Sequence, residues 1–321
     1  MDMYQKREMR KNKKMDENTK SLPSTSINWF PGHMKKTKME IASKFKQIDV
    51  VYEVIDARIP FSSKIKDIYK MIQNKPKIII MTKKDLCDIK KTEVWIKYYE
   101  NLGSKVLLLD LNDNNSYKEI YRITKEFLKE KNVLRDGKDM LEKEIHALVV
   151  GIPNVGKSTL INKLCGRKVA VTGNSPGVTK HLTWLKASNN ILLLDTPGIL
   201  WPKFENNEEA LNLASFTAIN EKVIPIVDVA SHILKKLSNY YPTILKDLYN
   251  LDKYDDDVIE ESFITIGKKI GAYKNGEVDY NRVALKIIND IKSERIKGVT
   301  FDNERRNWFT RVWKKIIWRG I

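Results

Sequence analysis

The sequence predicts an α/β fold with a mainly parallel sheet, followed by a small all-α region. Three observations predict it. Short apolar runs alternate with longer amphipathic stretches from Ile27 to about Leu200. A glycine-bounded loop, Gly151-Ile152-Pro153-Asn154-Val155-Gly156-Lys157-Ser158, separates an apolar run from a helical pattern. Strand-like runs then stop after Trp201-Pro202, and only helical spacing continues. Strands alternating with helices call for a parallel sheet covered on both faces.

The elements follow in order. Residues 1–26 mix Lys6, Arg7, Arg10, Lys11, Lys13 and Lys14 with Asp2, Glu8, Asp16 and Glu17 and hold few large apolar residues, so they read as a disordered tail. The run has no apolar h-region and is a poor signal peptide. Val50–Ile55, Ile78–Met81, Val106–Leu109, Ala147–Val150 and Ile191–Leu194 read as strands. Glu93–Leu102 and Tyr117–Lys129 read as helices between them. Beyond Pro202, Val229, Ile233, Leu234, Leu237 and Tyr241 recur at helical spacing until Pro242. Val258, Ile259, Phe263 and Ile266 make a second helix, and Ala284, Ile287, Ile288 and Ile291 a third, with Asp279 as its cap. The division expected is a tail over 1–26, a nucleotide domain over 27–204, a helical domain over 205–300 and a basic aromatic segment over 301–321.

Composition narrows the function. The chain has 321 residues, 42% hydrophobic and 31% charged, which excludes collagen-like and wholly disordered classes. Cys87 and Cys165 are its two cysteines, too few for a disulfide scaffold. No apolar stretch approaches the ~18–20 residues that cross a bilayer, so no integral membrane segment is expected. A net charge of +17 favours a polyanionic partner; a Lys-rich codon bias is the alternative reading of that charge.

The loop at 151–158 fits G-x-x-x-x-G-K-[ST] in full. Its glycines let backbone N–H groups of Asn154, Val155, Gly156 and Thr159 face phosphate oxygens, and the helix that follows adds its dipole. Lys157 is expected to bridge the β- and γ-phosphates, and the Ser158 hydroxyl to ligate Mg²⁺. Asp195-Thr196-Pro197-Gly198 ends the next apolar run. Asp195 can hold a water on Mg²⁺, and the Gly198 N–H can approach a γ-phosphate. Between them, Thr179 is the candidate switch hydroxyl on the same metal.

Thr82-Lys83-Lys84-Asp85 resembles the guanine-specificity motif Asn-Lys-x-Asp of GTPases. Asp85 can accept from guanine N1–H and the exocyclic amine, and the stem of Lys83 can cover the purine face. Thr82 stands where the motif has Asn, which puts one tethering hydrogen bond in question. The motif lies upstream of the phosphate loop, a circular permutation of the usual order, so the γ-phosphate sensor runs directly into the helical domain.

These motifs, with Trp29-Phe30-Pro31-Gly32-His33-Met34, Asp56-Ala57-Arg58-Ile59-Pro60, Pro176-Gly177-Val178-Thr179 and Asp195 to Phe204, resemble the circularly permuted GTPases of the ribosome biogenesis GTPase A family over roughly residues 27–300. The resemblance implies a P-loop GTPase that binds GTP and GDP and assists late assembly of the large ribosomal subunit, with the helical domain on ribosomal RNA. It implies that His33 serves catalysis, because Ile199 occupies the position of a water-orienting Gln. It also implies K⁺ at Asn154. A cytoplasmic monomer is expected, with an organelle matrix as the alternative. The Ser that usually backs guanine is not recognisable in Leu109-Asp110-Leu111-Asn112. Other readings are a nucleotide-gated RNA-binding protein with negligible hydrolysis, and an organellar form held at a membrane. At the C-terminal end, Arg305, Arg306, Arg311, Lys314, Lys315 and Arg319 interleave with Trp308, Phe309, Trp313 and Trp318, an amphipathic pattern for docking on the helical domain, on RNA or on an anionic membrane.

Overall fold

A computed structural model describes residues 33–65, 72, 74–113, 115–130, 144–170, 182–197, 207–219 and 224–302, with the side chains of 33–38 left aside. The tail 1–26, the segment 303–321, Thr179, Gly198 and Ile199 lie outside the described residues.

Helix α1 (His33–Lys44) leads into a six-stranded sheet made of β1 (Val50–Asp56), β2 (Lys77–Thr82), β3 (Lys105–Leu108), β4 (Ile145–Val150), β5 (Thr183–Lys186) and β6 (Ile191–Asp195). The strand order is β3-β2-β1-β4-β6-β5. Every pair is parallel except β5–β6. The five strands read from apolar runs are present. The edge strand β5 escaped that reading because Thr183-Trp184-Leu185-Lys186 is half-exposed at best and carries no apolar run.

The core follows from the pattern. All seven residues of β1 are buried, as a central parallel strand requires. One face of the sheet packs Ile55, Ile79 and Met81 against Trp95 and Tyr99 of α2 (Ile89–Asn101). The other buries Tyr52 against α3 (Ser116–Glu130), where its hydroxyl meets Thr124 Oγ1 at 2.8 Å. α4 (Lys157–Cys165) follows β4.

The helical region comprises α5 (Asn207–Ser215), α6 (Ile226–Tyr240), α7 (Pro242–Tyr249), α8 (Ile259–Lys269) and α9 (Tyr280–Lys292). Pro242 ends one helix and opens the next as its N1 residue, where no N–H is needed. The Asp279 carboxylate caps α9, accepting from Arg282 N–H. The expectation that strands vanish after 202 is corrected in one place. Tyr273–Lys274 (β7) and Glu277–Val278 (β8) pair as a hairpin. Asn275 and Gly276 turn it with φ of 52° and 86°, the left-handed pair such a tight turn requires.

Beyond α9 the chain returns to the nucleotide domain. Gly298 and Val299 N–H groups donate to the Leu86 carbonyl at 2.8 and 3.2 Å, and Phe301 N–H donates to the Arg58 carbonyl at 2.8 Å. Asp302 is buried and accepts from the Phe61 and Ser62 N–H groups (2.7 and 2.8 Å), Ser62 Oγ (2.5 Å) and Asn212 Nδ2 of α5 (2.9 Å). Burial pushes its pKa up, and the Ser62 and Phe61 donors and the Lys236 charge oppose the shift. The boundary expected at 300 falls inside this contact: Phe301 and Asp302, assigned from sequence to the C-terminal segment, are buried between the two regions. Among the described residues, no helix is long and apolar enough to cross a membrane.

Replacing Asp302 by Ala orphans buried donors on both sides of this contact. The expected cost is about 2–4 kcal/mol, visible as a fall in Tm of roughly 5–10 °C in thermal unfolding. An unchanged Tm would show that the contact adds nothing to stability.

Candidate active site

The parallel strands all point their carboxyl ends at one edge, and the chain order reverses between β1 and β4, the place where α/β sheets open a crevice. The phosphate loop leaves β4 there. A Cβ on Gly151 would stand 2.6 Å from the Val54 carbonyl oxygen of β1, so only glycine allows the exit. Asn154 and Gly156 take left-handed φ of 62° and 91°, folding the loop back onto the first turn of α4. The free N–H groups of that turn open toward the edge of the sheet. Val155 is buried beneath the loop, Ser158 is half-buried and Thr159 is exposed. Lys157 is buried and donates from Nζ to the Ile152 carbonyl at 2.7 Å. Burial lowers its pKa to about 8, against the opposing charge of Asp195. Asp195 ends β6, buried and opposite Val149 of β4. Thr196 Oγ1 donates to the Val149 carbonyl at 2.7 Å, fixing the strand's end.

The specificity loop leaves β2 beside it. The Thr82 hydroxyl donates to the Val155 carbonyl at 2.7 Å, with the Ile55 carbonyl also within reach at 3.2 Å. The tether that the missing Asn put in question is therefore made by the shorter side chain. Lys83 adopts a left-handed φ of 63°. Its Nζ donates to Asp56 Oδ2 at 2.8 Å and to the Asn154 carbonyl at 3.0 Å.

Asp56 ends β1 and is buried. Arg58 grips it with Nε on Oδ1 (3.0 Å), the Nη2 group on Oδ2 (2.9 Å) and its own backbone N–H on Oδ1 (3.0 Å). Burial would raise the Asp56 pKa, but the Arg58 and Lys83 cations hold it well below the ordinary carboxylate range. The Arg58 guanidinium in turn lies 4.3 Å from the ring centre of Phe216, just beyond α5.

Asp85 stands exposed at the rim, its pKa raised by partial burial and then by Asp110 and Glu294. The loop after β3 faces it. Asp110 Oδ1 accepts from the Asn112 N–H at 2.8 Å, and the Leu109 carbonyl accepts from the Lys84 N–H at 3.2 Å. Leu109-Asp110-Leu111-Asn112 thus stands beside the specificity loop although its sequence carries no recognisable motif.

A cleft of about 530 Å³ joins these parts. It brings together Thr82, Lys83, Asp85, Asn154, Gly156 and Thr159 from the sequence reading. Lys157, Ser158 and Asp195 do not line it. The far wall went unread: Phe216 and Thr217 come from the turn after α5, and Ile291, Lys292 and Glu294 from the end of α9. Asn154 donates from Nδ2 to the Thr217 carbonyl at 2.6 Å, linking the phosphate loop to that wall. Thr217 holds a left-handed φ of 62°, a local oddity that no sequence pattern announces. Arg58 had a signal in the Asp56-Ala57-Arg58 match but no assigned role. His33 opens α1, and its side chain is outside the description.

The 50S ribosome-binding GTPase family matches residues 146–260, from β4 through the start of α8. The chain is 42% identical to the ribosome biogenesis GTPase A of Priestia megaterium, over 87% of this chain and 97% of that protein. The chain belongs to the ribosome biogenesis GTPase A family. The Bacillus pumilus member is likewise 42% identical over 86% of this chain and 98% of its own. Among solved structures, GNP-bound YlqF from T. maritima superposes with a TM-score of 0.56 at 23% identity, over 84% of this chain and 98% of that one. That likeness supports the fold.

Two expected outcomes follow for this GTPase family member. Thr82→Val keeps the shape but strips the Val155 carbonyl of its donor. GDP affinity, read by titration, should fall about tenfold, and Thr82→Asn should restore most of it. The second outcome concerns pH. A phosphate-bound Lys157 must be an ammonium, and its pKa of about 8 in the free protein means that a proton must be taken up above that pH. GDP affinity should be flat below pH 8 and then decline by up to about tenfold per pH unit until the bound-state pKa is reached. A Kd that stays constant from pH 7 to 10 would place the Lys157 ammonium away from the phosphates.

Proposed function

We propose that this protein is a GTP-hydrolysing assembly factor for the large ribosomal subunit, binding ribosomal RNA in a nucleotide-dependent way during late maturation. One observation carries the reading. The specificity loop at 82–85, the phosphate loop at 151–158 and Asp195 gather at the carboxyl ends of one parallel sheet, in a member of the ribosome biogenesis GTPase A family. Its net charge of +17 supports a polyanionic partner.

In this reading Asp85 accepts from the guanine edge and the Lys83 stem covers the base. The N–H groups of the loop and of Thr159 cradle the phosphates, and Lys157 neutralises charge between the β- and γ-positions. Ser158 and Asp195 offer a hydroxyl and a carboxylate at the phosphate end, hard oxygen donors that fit Mg²⁺, and the Asp195 charge already acts on Lys157 there. Thr179 would complete the set. When bound, Mg²⁺ would supply positive charge to offset the negative charge of the phosphates. Gly198 N–H is assigned to the γ-phosphate and His33 to the attacking water, Ile199 being unable to orient it. Asn154, whose amide nitrogen is held by Thr217, would offer its amide oxygen to K⁺.

The proposed site of action is the cytoplasm, and the proposed acting form a monomer. Among the described residues, the exposed large apolar side chains are Met39, the pair Ile89 and Leu102 at the two ends of α2, Tyr240 and Leu285.

The test is GTP turnover with and without large ribosomal subunits, in potassium and in sodium. Subunits and potassium should each raise the rate. His33→Ala should leave GTP affinity intact and lower subunit-stimulated turnover by about 10²–10³-fold, the range for losing a positioned catalytic group. Turnover that subunits never stimulate would favour a nucleotide-gated RNA-binding protein instead.

A further inference from the structure

The turn that ends α9 stands across the cleft from the specificity loop, and Glu294 is its odd member. Helix α9 stops at Lys292, Ser293 follows, and Glu294 takes a left-handed φ of 61°. Helices usually place Gly there, or Asn, because a Cβ is strained in that conformation. A long carboxylate side chain held in such a position is a feature that function explains better than stability does.

The turn is also fixed in place. Glu294 N–H donates to the Ile291 carbonyl at 3.2 Å and Ile296 N–H to the Asp290 carbonyl at 3.0 Å. Four residues after Glu294, Gly298 N–H holds the Leu86 carbonyl, one residue beyond Asp85. The turn and the specificity loop are thus clamped to each other. Glu294 lines the same cleft as Asp85, Asp110 and Asn112, and its charge is felt by both Asp85 and Lys83.

The chemistry of the base gives this carboxylate a task. The hydrogen-bonding edge of guanine carries three N–H bonds, one on N1 and two on the exocyclic amine. A carboxylate facing that edge takes two of them. Asp110 already spends Oδ1 on the Asn112 N–H. The Glu294 carboxylate has no hydrogen bond or ion pair among the described residues. We propose that Glu294 is a guanine-reading residue supplied by the helical region, its carboxylate accepting the exocyclic N–H that Asp85 leaves over. The proposal rests on the assignment of this cleft to the base.

Inosine diphosphate lacks the exocyclic amine and otherwise matches GDP, so it isolates the contact. Affinities for GDP and inosine diphosphate are measured by titration for the parent, Glu294→Ala, Glu294→Gln and Glu294→Gly. Glu294→Ala should weaken GDP about tenfold and inosine diphosphate less than about twofold, and Glu294→Gln, which keeps an acceptor oxygen, should recover most of the difference. Glu294→Gly should lose the same discrimination while raising Tm, because it relieves the left-handed residue. Equal loss for both nucleotides, or no loss for either, overturns the proposal. Asp85→Asn, assayed beside these with GDP and xanthosine diphosphate, reads the underlying assignment. If it fails to exchange guanine for xanthine preference, the base is not in this cleft. If it does exchange them while Glu294→Ala changes nothing, the failure belongs to Glu294 alone.

Discussion

A carboxylate buried at the end of a central strand has to be matched by cations, and the way Asp56 is matched organises the whole cleft. Arg58 meets it with two side-chain contacts and its backbone N–H, and Lys83 with a fourth contact. Removing either partner would leave charge in the interior, a penalty of several kcal/mol, so the three side chains stand or fall together. Each cation then reaches outward. Lys83 also holds the Asn154 carbonyl of the phosphate loop, while Arg58 lies on Phe216 and offers its backbone carbonyl to Phe301. One buried charge therefore ties together the specificity loop, the phosphate loop and the returning chain.

The sheet makes this economy available. In β3-β2-β1-β4-β6-β5 order, β1 and β4 are neighbours whose following loops diverge, so Asp56 and the phosphate loop meet at the crevice. Thr82 and Val155 are 73 residues apart in sequence, yet their bond is among the shortest contacts in the site because parallel pairing of β1 with both β2 and β4 brings the ends of those strands to one edge. A permuted chain order is harmless to such a site, since the strand neighbours and not the chain order set which loops converge.

Much of this was legible in residues alone, and the limit has a physical cause. Buried parallel strands are continuous apolar runs, so β1, β2, β4 and β6 could be read directly. The phosphate loop and Asp85 carry their chemistry in short contiguous motifs. What escaped reading lacks that locality. The half-exposed edge strand β5 gains its order from β6 and not from its own pattern. The far wall of the cleft, from Phe216 to Glu294, comes from turns whose placement depends on how the helical region docks. The hairpin at Asn275-Gly276 did have a local signal, an Asn-Gly pair, outweighed by the helical spacing on either side of it. The Thr at 82 was legible as a departure but not as a solution, because the partner that satisfies it lies on another loop.

The chain leaves the nucleotide domain after β6 and comes back to it at Gly298–Asp302, so the helical region is anchored at both of its ends. Between those ends Thr217 accepts from Asn154, Phe216 lies against the Arg58 guanidinium and Asn212 donates to Asp302. A body tied at several separated points cannot swing while all of them hold. The helical region can therefore shift only as far as the loops that carry Arg58 and Asn154 shift with it, which couples its position to the shape of the cleft.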